Sequence, residues 1–204
     1  MLKKLLSIPL KFHWSFILLP IMFFYITGFN FLNTIYFLTL IASLLCHEYG
    51  HVWMAQRKNI YVSHVILHGF GAAALIANMK PKQELSIASA GPAVSLCLGI
   101  FFLTLFFITS ISIMGIIGTM NILLGTFNLL PIYPADGGRI LYSILSRKLG
   151  VKKGINYAVG VACVLAGILG LIGIFYGAIN LLILSILLVV LSFHQRTQLL
   201  KIQL

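Results

Sequence analysis

The sequence predicts an all-α polytopic membrane protein, and three observations support this fold class. The chain has 204 residues, of which 60% are hydrophobic and only 8% are charged, whereas a soluble domain carries about 25% charged residues. Long apolar segments separate its charged residues, and several of them reach the length of about 20 residues that a helix needs to span a bilayer. The 14 basic residues all fall on one side of the resulting membrane topology. A single membrane domain over residues 1–204 accounts for the chain.

The apolar segments predict about six transmembrane helices. In chain order these span about residues 13–32, 34–56, 85–108, 113–130, 155–174 and 177–194. The last two form a C-terminal helix pair over about 155–194. The segment near 60–78 differs, because it contains glycines, two histidines and β-branched residues. It is predicted to be short extended or re-entrant structure, which is tolerated at membrane depth where protein or a wet cavity covers it.

The positions of the basic residues predict the orientation in the cell membrane. They occupy both ends of the chain and the loops on one side, as Lys3, Lys4, Lys11, Arg57, Lys58, Lys80, Lys82, Arg139, Arg147, Lys148, Lys152, Lys153, Arg196 and Lys201. Because cytoplasmic loops carry an excess of Lys and Arg, both termini are predicted to be cytoplasmic. The net charge of +11 belongs to this pattern. It does not indicate a nucleic-acid partner, since the bases are not clustered with aromatic residues.

The second predicted helix carries the sequence His47-Glu48-Tyr49-Gly50-His51. Two histidines four residues apart project from one face of a helix and can bind one Zn²⁺. Glu48 lies about 100° round the helix, where it reaches the metal-bound water rather than the metal. This pattern predicts a zinc hydrolase with Glu48 as the general base. A chance His-Glu-x-x-His is the alternative, and a chain with three acidic residues makes it less favoured.

A catalytic zinc site needs a third protein ligand and one open position. Asp136 is the candidate, because Pro131 and Pro134 must break the fourth predicted helix just before it. The glycines at 137 and 138 permit a turn that leans the carboxylate toward the metal. The alternative is a simple Asp-Gly turn in which Asp136 pairs with Arg139. Glu84, the third acid, is predicted to be a solvated interface residue near a helix N-terminus.

These motifs resemble those of the site-2 protease family of intramembrane zinc metalloproteases, peptidase family M50. His-Glu-x-x-His in a membrane helix is followed by Asn-x-x-Pro-x-x-x-x-Asp-Gly, matched here by Asn128, Pro131, Asp136 and Gly137. The sequence Ala90-Gly91-Pro92 resembles a further family element. The resemblance covers about residues 35–140 and corresponds to a three-helix catalytic core, predicted here over about 34–140.

The resemblance implies one zinc ion per chain, held by His47, His51 and Asp136, with Glu48 as the catalytic base. It also implies cleavage of a peptide bond in or beside the membrane segment of a membrane-anchored substrate protein. Asn128 would position substrate or water. Gly69 and Gly71 would belong to a strand loop that offers an edge to an extended substrate.

The helix layout looks most like the branch that contains the stage IV sporulation protease FB, although no CBS domain follows the sixth helix here and no PDZ domain is inserted. That resemblance would imply a regulatory membrane protein as a partner and a role in sporulation. A metal-ion or proton transporter and an inactive family member acting as a scaffold stay open as alternatives. His51 lies six residues before Arg57, which predicts a site about 10 Å inside the cytoplasmic boundary at about 1.5 Å per residue.

Overall fold

The computed structural model of the chain describes residues 8–68, 71–76 and 80–201. Helices follow one another as α1 (Leu18–Thr27), α2 (Phe31–Arg57), α3 (Pro81–Thr109), α4 (Ser112–Asn128), α5 (Asp136–Leu149), α6 (Val151–Phe175) and α7 (Ile179–Lys201). The strands are β1 (Leu10–Phe12), β2 (Val62–His68) and β3 (Gly71–Ile76). A 3₁₀ turn over Trp14–Ile17 precedes α1.

The chain divides into two compact units. The first comprises residues 1–79 and 90–126, and the second comprises residues 80–89 and 127–204. The first nine residues of α3 therefore belong to the second unit, and the remainder of that helix belongs to the first.

The all-α membrane fold class is confirmed. Among the described residues, four helices are long and apolar enough to cross a membrane: Phe31–Arg57, Pro81–Thr109, Val151–Phe175 and the Ile179–Leu200 part of α7. Two further apolar helical segments, Trp14–Thr27 and Ser112–Asn128, are shorter. Each of the six predicted apolar segments thus contains a helix, while the number of six spanning helices stays a prediction.

The extended structure predicted near 60–78 is confirmed as part of a three-stranded sheet with the order β1-β2-β3. Strands β2 and β3 pair antiparallel, with Val65 opposite Ala74. Strand β1 pairs parallel with β2 and was not predicted. The N–H of His13 continues this pairing by donating to the carbonyl of Leu67 at 2.8 Å.

The predicted first helix is shorter than expected, because Gly28 ends it with a φ of 78°. Helix α2 then begins with a capped N-terminus, where the Asn30 side chain accepts a hydrogen bond from the N–H of Asn33 at 2.9 Å. The Asn33 side chain donates to the carbonyls of Thr27 at 2.7 Å and Gly28 at 2.9 Å. These bonds satisfy carbonyls that the end of α1 leaves without helical partners.

Helix α5 was not predicted, because its basic residues were assigned to a loop. It has 14 residues, and a helix of that length covers about 21 Å, less than the hydrocarbon core. One face is apolar: Tyr142 packs with Tyr133 and with Ile155, Ala158 and Val159 of α6 in the core of the second unit. Amphipathic packing, rather than membrane crossing, therefore makes this segment helical.

Candidate active site

The His, Glu and His residues of the His-Glu-x-x-His motif lie together in the half of α2 that ends at Arg57. His47, Glu48 and His51 are 3%, 9% and 2% exposed, and each offers a ligand atom within 4.8 Å of the others. The two imidazole Nε2 atoms are 3.3 Å apart. Two nitrogens that bind one tetrahedral zinc at about 2.0–2.1 Å are separated by about 3.3–3.4 Å. The pair therefore fits a shared zinc ion.

Ser95 orients the first of these histidines. Its hydroxyl lies 3.0 Å from the Nδ1 atom of His47, and its side chain is fully buried. With Nδ1–H donating to the hydroxyl, Nε2 of His47 is left with a lone pair for a metal, which is the usual arrangement of a metal-binding histidine. Sequence reasoning missed Ser95, which lies 48 residues from His47.

The backbone of α3 approaches the imidazoles very closely at Gly91. A Cβ atom placed on Gly91 would lie 2.3 Å from Nε2 of His51 and 2.8 Å from Nε2 of His47. Gly50 of α2 makes the reciprocal approach, since its Cβ would lie 2.9 Å from the carbonyl oxygen of Ala90. Glycine at both positions therefore allows α2 and α3 to pack tightly beside the motif.

Strand β3 reaches the proposed catalytic base. The backbone N–H of Ala74 donates to Oε2 of Glu48 at 3.0 Å. Because β3 is at one end of the β1-β2-β3 order, the amide that binds Glu48 belongs to an edge strand of the described sheet. An edge strand and the carboxylate are thus in direct contact.

A neutral polar pair lies one helical turn from His47, toward the N-terminal end of α2. The side-chain amide of Asn121 on α4 donates to the hydroxyl of Ser43 at 2.9 Å and to the carbonyl of Ile117 at 2.9 Å. Ser43 and Asn121 are 5% and 1% exposed. These hydrogen bonds connect α2 to α4 within the first unit.

Asp136, the predicted third ligand, belongs to the second unit. It is 5% exposed and is the first residue of α5 rather than part of a turn, so the predicted turn is wrong. Its Oδ1 atom accepts a hydrogen bond from Nη1 of Arg139 at 3.1 Å. The pairing with Arg139 that was open as an alternative is therefore present.

The glycines after Asp136 serve close packing rather than a turn. A Cβ atom on Gly137 would lie 2.2 Å from the carbonyl oxygen of Leu129 and 2.3 Å from that of Leu130. One on Gly138 would lie 2.7 Å from the backbone nitrogen of Tyr133. The first turn of α5 can therefore pack against the preceding segment only because both residues lack side chains.

Glu84 is not the solvated interface residue that was predicted. Its Oε1 atom binds Nε of Arg139 at 2.8 Å, and its side chain is 12% exposed. The partner lies 55 residues away in sequence, so the local pattern of Lys80 and Lys82 around Glu84 did not reveal it.

The remaining predicted site residues are Asn128, Gly71 and Gly69. Asn128 is the last residue of α4 and is half-buried. Gly71 is the first residue of β3 and pairs with His68. Gly69 lies outside the described residues.

Comparison with known proteins identifies the family. A model of peptidase family M50 matches residues 35–111 and 105–169. A zinc metalloprotease of Methanocaldococcus jannaschii is 33% identical over 193 residues, covering 90% of this chain and 56% of that protein. The stage IV sporulation protein FB of Bacillus subtilis is 27% identical over 124 residues, covering 57% of this chain and 42% of the relative. The predicted likeness to that branch is thus confirmed at lower identity.

A solved structure agrees with these matches. The site-2 protease from Methanocaldococcus jannaschii superimposes with a TM-score of 0.73 at 30% identity, over 93% of this chain and 91% of that one. The chain spans little more than half the length of the first curated relative. The family model matches most of the chain, and the zinc metalloprotease of Methanocaldococcus jannaschii is identical to it at a third of the positions over nine tenths of its length. The chain therefore belongs to peptidase family M50, the family of the site-2 proteases.

Proposed function

We propose that this protein is a membrane-embedded zinc metalloendopeptidase that hydrolyses a peptide bond in or next to the membrane segment of a substrate protein. One observation carries the proposal: His47, Glu48 and His51 form a buried group of ligand atoms within 4.8 Å, on a helix long and apolar enough to cross a membrane. Ionisable residues inside a membrane helix are costly and usually functional. Membership of peptidase family M50 supports the same activity.

One zinc ion would be held by His47, His51 and Asp136. Two imidazoles and a carboxylate are donors that zinc accepts, and three protein ligands leave one position open for water or substrate. The Nε2 separation of 3.3 Å supports the two histidines, and the buried carboxylate at the start of α5 supports Asp136. When bound, zinc lowers the pKa of water to about 7 and polarises a carbonyl.

Glu48 would act as the general base and then as the general acid. Its carboxylate accepts a proton from the attacking water, the water oxygen bonds to the peptide carbon, and the C–N bond breaks. The same proton then passes to the leaving amine. The Ala74 N–H at 3.0 Å orients the carboxylate for this task.

The substrate would bind as an extended strand along β3. A helix hides its peptide bonds, whereas a strand added to a sheet edge exposes them and gains main-chain hydrogen bonds. The contact between Ala74 and Glu48 supports this site, because a peptide beside β3 would lie next to the base. Gly71 in β3 and Gly69 before it would allow close approach of the substrate backbone, and Asn128 would position substrate or water.

The active site would be in the cytoplasmic part of the cell membrane, with both termini cytoplasmic. Helix α2 ends at Arg57, whose guanidinium lies 4.0 Å from the centre of the Trp53 ring. Trp and basic residues are typical of the membrane boundary. The histidines of the motif precede Arg57 by about two to three helical turns, which supports access of water from the cytoplasm.

The proposal is tested by co-expression with a panel of single-span, epitope-tagged membrane proteins, comparing the wild type with Glu48→Gln. We expect the variant to retain one zinc per chain in metal analysis while the cleavage product disappears. Gly167→Ala is the matched control, because a Cβ at Gly167 has no neighbouring atom within 4 Å, and it should cleave like the wild type. Cleavage that persists without Glu48 would refute its role as base.

The same preparations separate the alternative functions. A metal-ion transporter would move zinc into proteoliposomes without cleaving any reporter, and a proton transporter would move protons. A scaffold would do neither and would bind a partner equally well after Glu48→Gln. The protease predicts reporter cleavage that stops on zinc chelation and returns when zinc is added.

Strand addition is tested by photo-crosslinking. A photoreactive amino acid at Ala74 in the Glu48→Gln background should trap the uncleaved reporter. The same group at Val164, an exposed position on α6, serves as the control. Equal trapping at both positions would show that β3 is not the substrate site.

A further inference from the structure

Three charged groups of the second unit form one connected network. Arg139 binds Glu84 through Nε at 2.8 Å and Asp136 through Nη1 at 3.1 Å. The side chains of Glu84 and Asp136 are only 12% and 7% exposed. Two of the three acidic residues of the chain are therefore bound by different nitrogens of a single guanidinium.

We propose that Arg139 and Glu84 are positioning residues that set the orientation of the Asp136 carboxylate for zinc. This inference rests on the proposed role of Asp136 as the third ligand. Neither residue would touch the metal. Arg139 would act by holding Oδ1 of Asp136, and Glu84 would act by holding Arg139. Groups that hold metal ligands in this way commonly contribute about 10- to 100-fold to metal affinity.

The geometry of the guanidinium explains why both carboxylates are needed. A guanidinium is a rigid planar fork, so fixing two of its nitrogens fixes its plane. Glu84 binds Nε, close to the side-chain stem, and Asp136 binds Nη1 at the tip. Without Glu84 the plane can rotate about the side-chain bonds, and the carboxylate of Asp136 can rotate with it.

A second contact aligns the same two helix starts. The hydroxyl of Ser143, one turn after Arg139 on α5, donates to the carbonyl of Pro81 at the start of α3. Arg139 and Ser143 thus face the first turn of α3 together, where Glu84 and Pro81 lie. The close packing of Gly137 against Leu129 and Leu130 fixes the backbone beside Asp136.

The Glu84 end of this network is largely shielded from water. Tyr133 is 2% exposed, and burial, followed by the nearby Glu84 carboxylate, raises the pKa of its phenol. The ring therefore stays neutral near the Glu84 carboxylate, which is itself only 12% exposed. Charge-assisted hydrogen bonds shielded from water hold their geometry better than exposed ones.

The test measures zinc affinity of the purified full chain in detergent, by competition with a chromophoric chelator. Arg139→Gln and Glu84→Gln should each weaken zinc binding by about 10- to 100-fold. The double variant should be no weaker than Arg139→Gln, because Glu84 acts through Arg139. Arg196→Gln is the control, since Arg196 also donates a side-chain hydrogen bond within the second unit, to Asn156 at 2.7 Å. The zinc affinity of this control should equal that of the wild type.

Arg139→Lys separates positioning from charge. Lysine keeps the positive charge but cannot hold two carboxylates in a fixed plane. We expect Arg139→Lys to bind zinc as weakly as Arg139→Gln does. The visible spectrum of the cobalt-loaded Arg139→Lys protein should also change, because the Asp136 carboxylate reorients. An affinity within about twofold of the wild type for Arg139→Lys would refute the proposal, given the about 10-fold minimum expected. Should Arg139→Gln fail to fold, Arg139→Lys and Glu84→Gln decide the question.

Asp136→Ala distinguishes this inference from the proposed function. If Asp136→Ala weakens zinc binding while the Arg139 and Glu84 variants do not, the positioning role is wrong and the ligand assignment stands. If Asp136→Ala has no effect on zinc binding, the ligand assignment itself is wrong.

Discussion

Replacing Gly91 by alanine tests whether the approach of α3 to the two histidines is essential. The added Cβ would lie 2.3 Å from Nε2 of His51, which is 1.1 Å closer than the 3.4 Å at which ordinary contact begins. It would also lie 2.8 Å from Nε2 of His47. These are the two nitrogens assigned to zinc, so the methyl group competes with the metal for the same space.

The expected magnitude follows from the cost of overpacking. Inserting a methyl group into a packed interior costs about 1–3 kcal/mol. If the imidazoles turn away to relieve this strain, zinc affinity falls by about 5- to 150-fold, since about 1.4 kcal/mol corresponds to a tenfold change. The cleavage rate at limiting zinc should fall in parallel.

The assay is chelator competition on the purified protein, with thermal unfolding measured in the same detergent. Gly167→Ala is the matched control, because it adds the same methyl group to a long apolar helix where no atom lies within 4 Å. Alanine is the better helix former by about 1 kcal/mol, so this control should be as stable as the wild type or slightly more so. Gly91→Ala with zinc affinity equal to that of Gly167→Ala would refute the close-approach argument.

The contacts and surroundings of Ser95, Ser43 and His68 in the first unit each predict the result of one further substitution. Ser95→Ala should weaken zinc binding by about 10- to 100-fold, because His47 loses the partner that orients it, and Ser95→Thr should restore most of the affinity in the same chelator assay. Ser43→Ala should lower the unfolding free energy by about 1 kcal/mol without changing zinc affinity, because it removes one bond from the buried Asn121 amide. Burial and, second, His13 lower the pKa of His68, so the unfolded chain binds more protons as the pH falls below about 6.5. The wild-type melting temperature should therefore drop between pH 8 and pH 5 by more than that of His68→Gln.

The ligand face of α2 was predictable because a helix has a fixed period. Residues four apart share a face whatever surrounds them, so the proximity of His47 to His51 follows from the sequence alone. Ser95 could not be found in this way. Its partner depends on the packing of α3 against α2, which Gly50 and Gly91 determine by their lack of side chains. A serine in an apolar helix otherwise bonds to its own backbone one turn earlier.

Helix α5 shows the opposite failure, since a correct local observation led to a wrong structure. Asp-Gly-Gly is typical of a turn because glycine tolerates positive φ. Here Gly137 and Gly138 lie in the first helical turn and are needed for contact with Leu129, Leu130 and Tyr133. Distinguishing these two uses of glycine requires knowing which backbone lies opposite, and that information is tertiary.

The polar groups beyond the motif favour hydrolysis over ion transport. A transporter needs ionisable or hydrated groups continuing across the membrane. Among the residues that the structure describes, the buried polar side chains one turn from His47, on the side away from Arg57, are Ser43 and Asn121, and neither ionises near neutral pH. Their hydrogen bond joins α2 to α4 instead of pointing along a path. The ionisable groups of the motif thus lie near one end of α2, the end predicted to be cytoplasmic. This position suits a hydrolase, which needs water from only one side of the membrane.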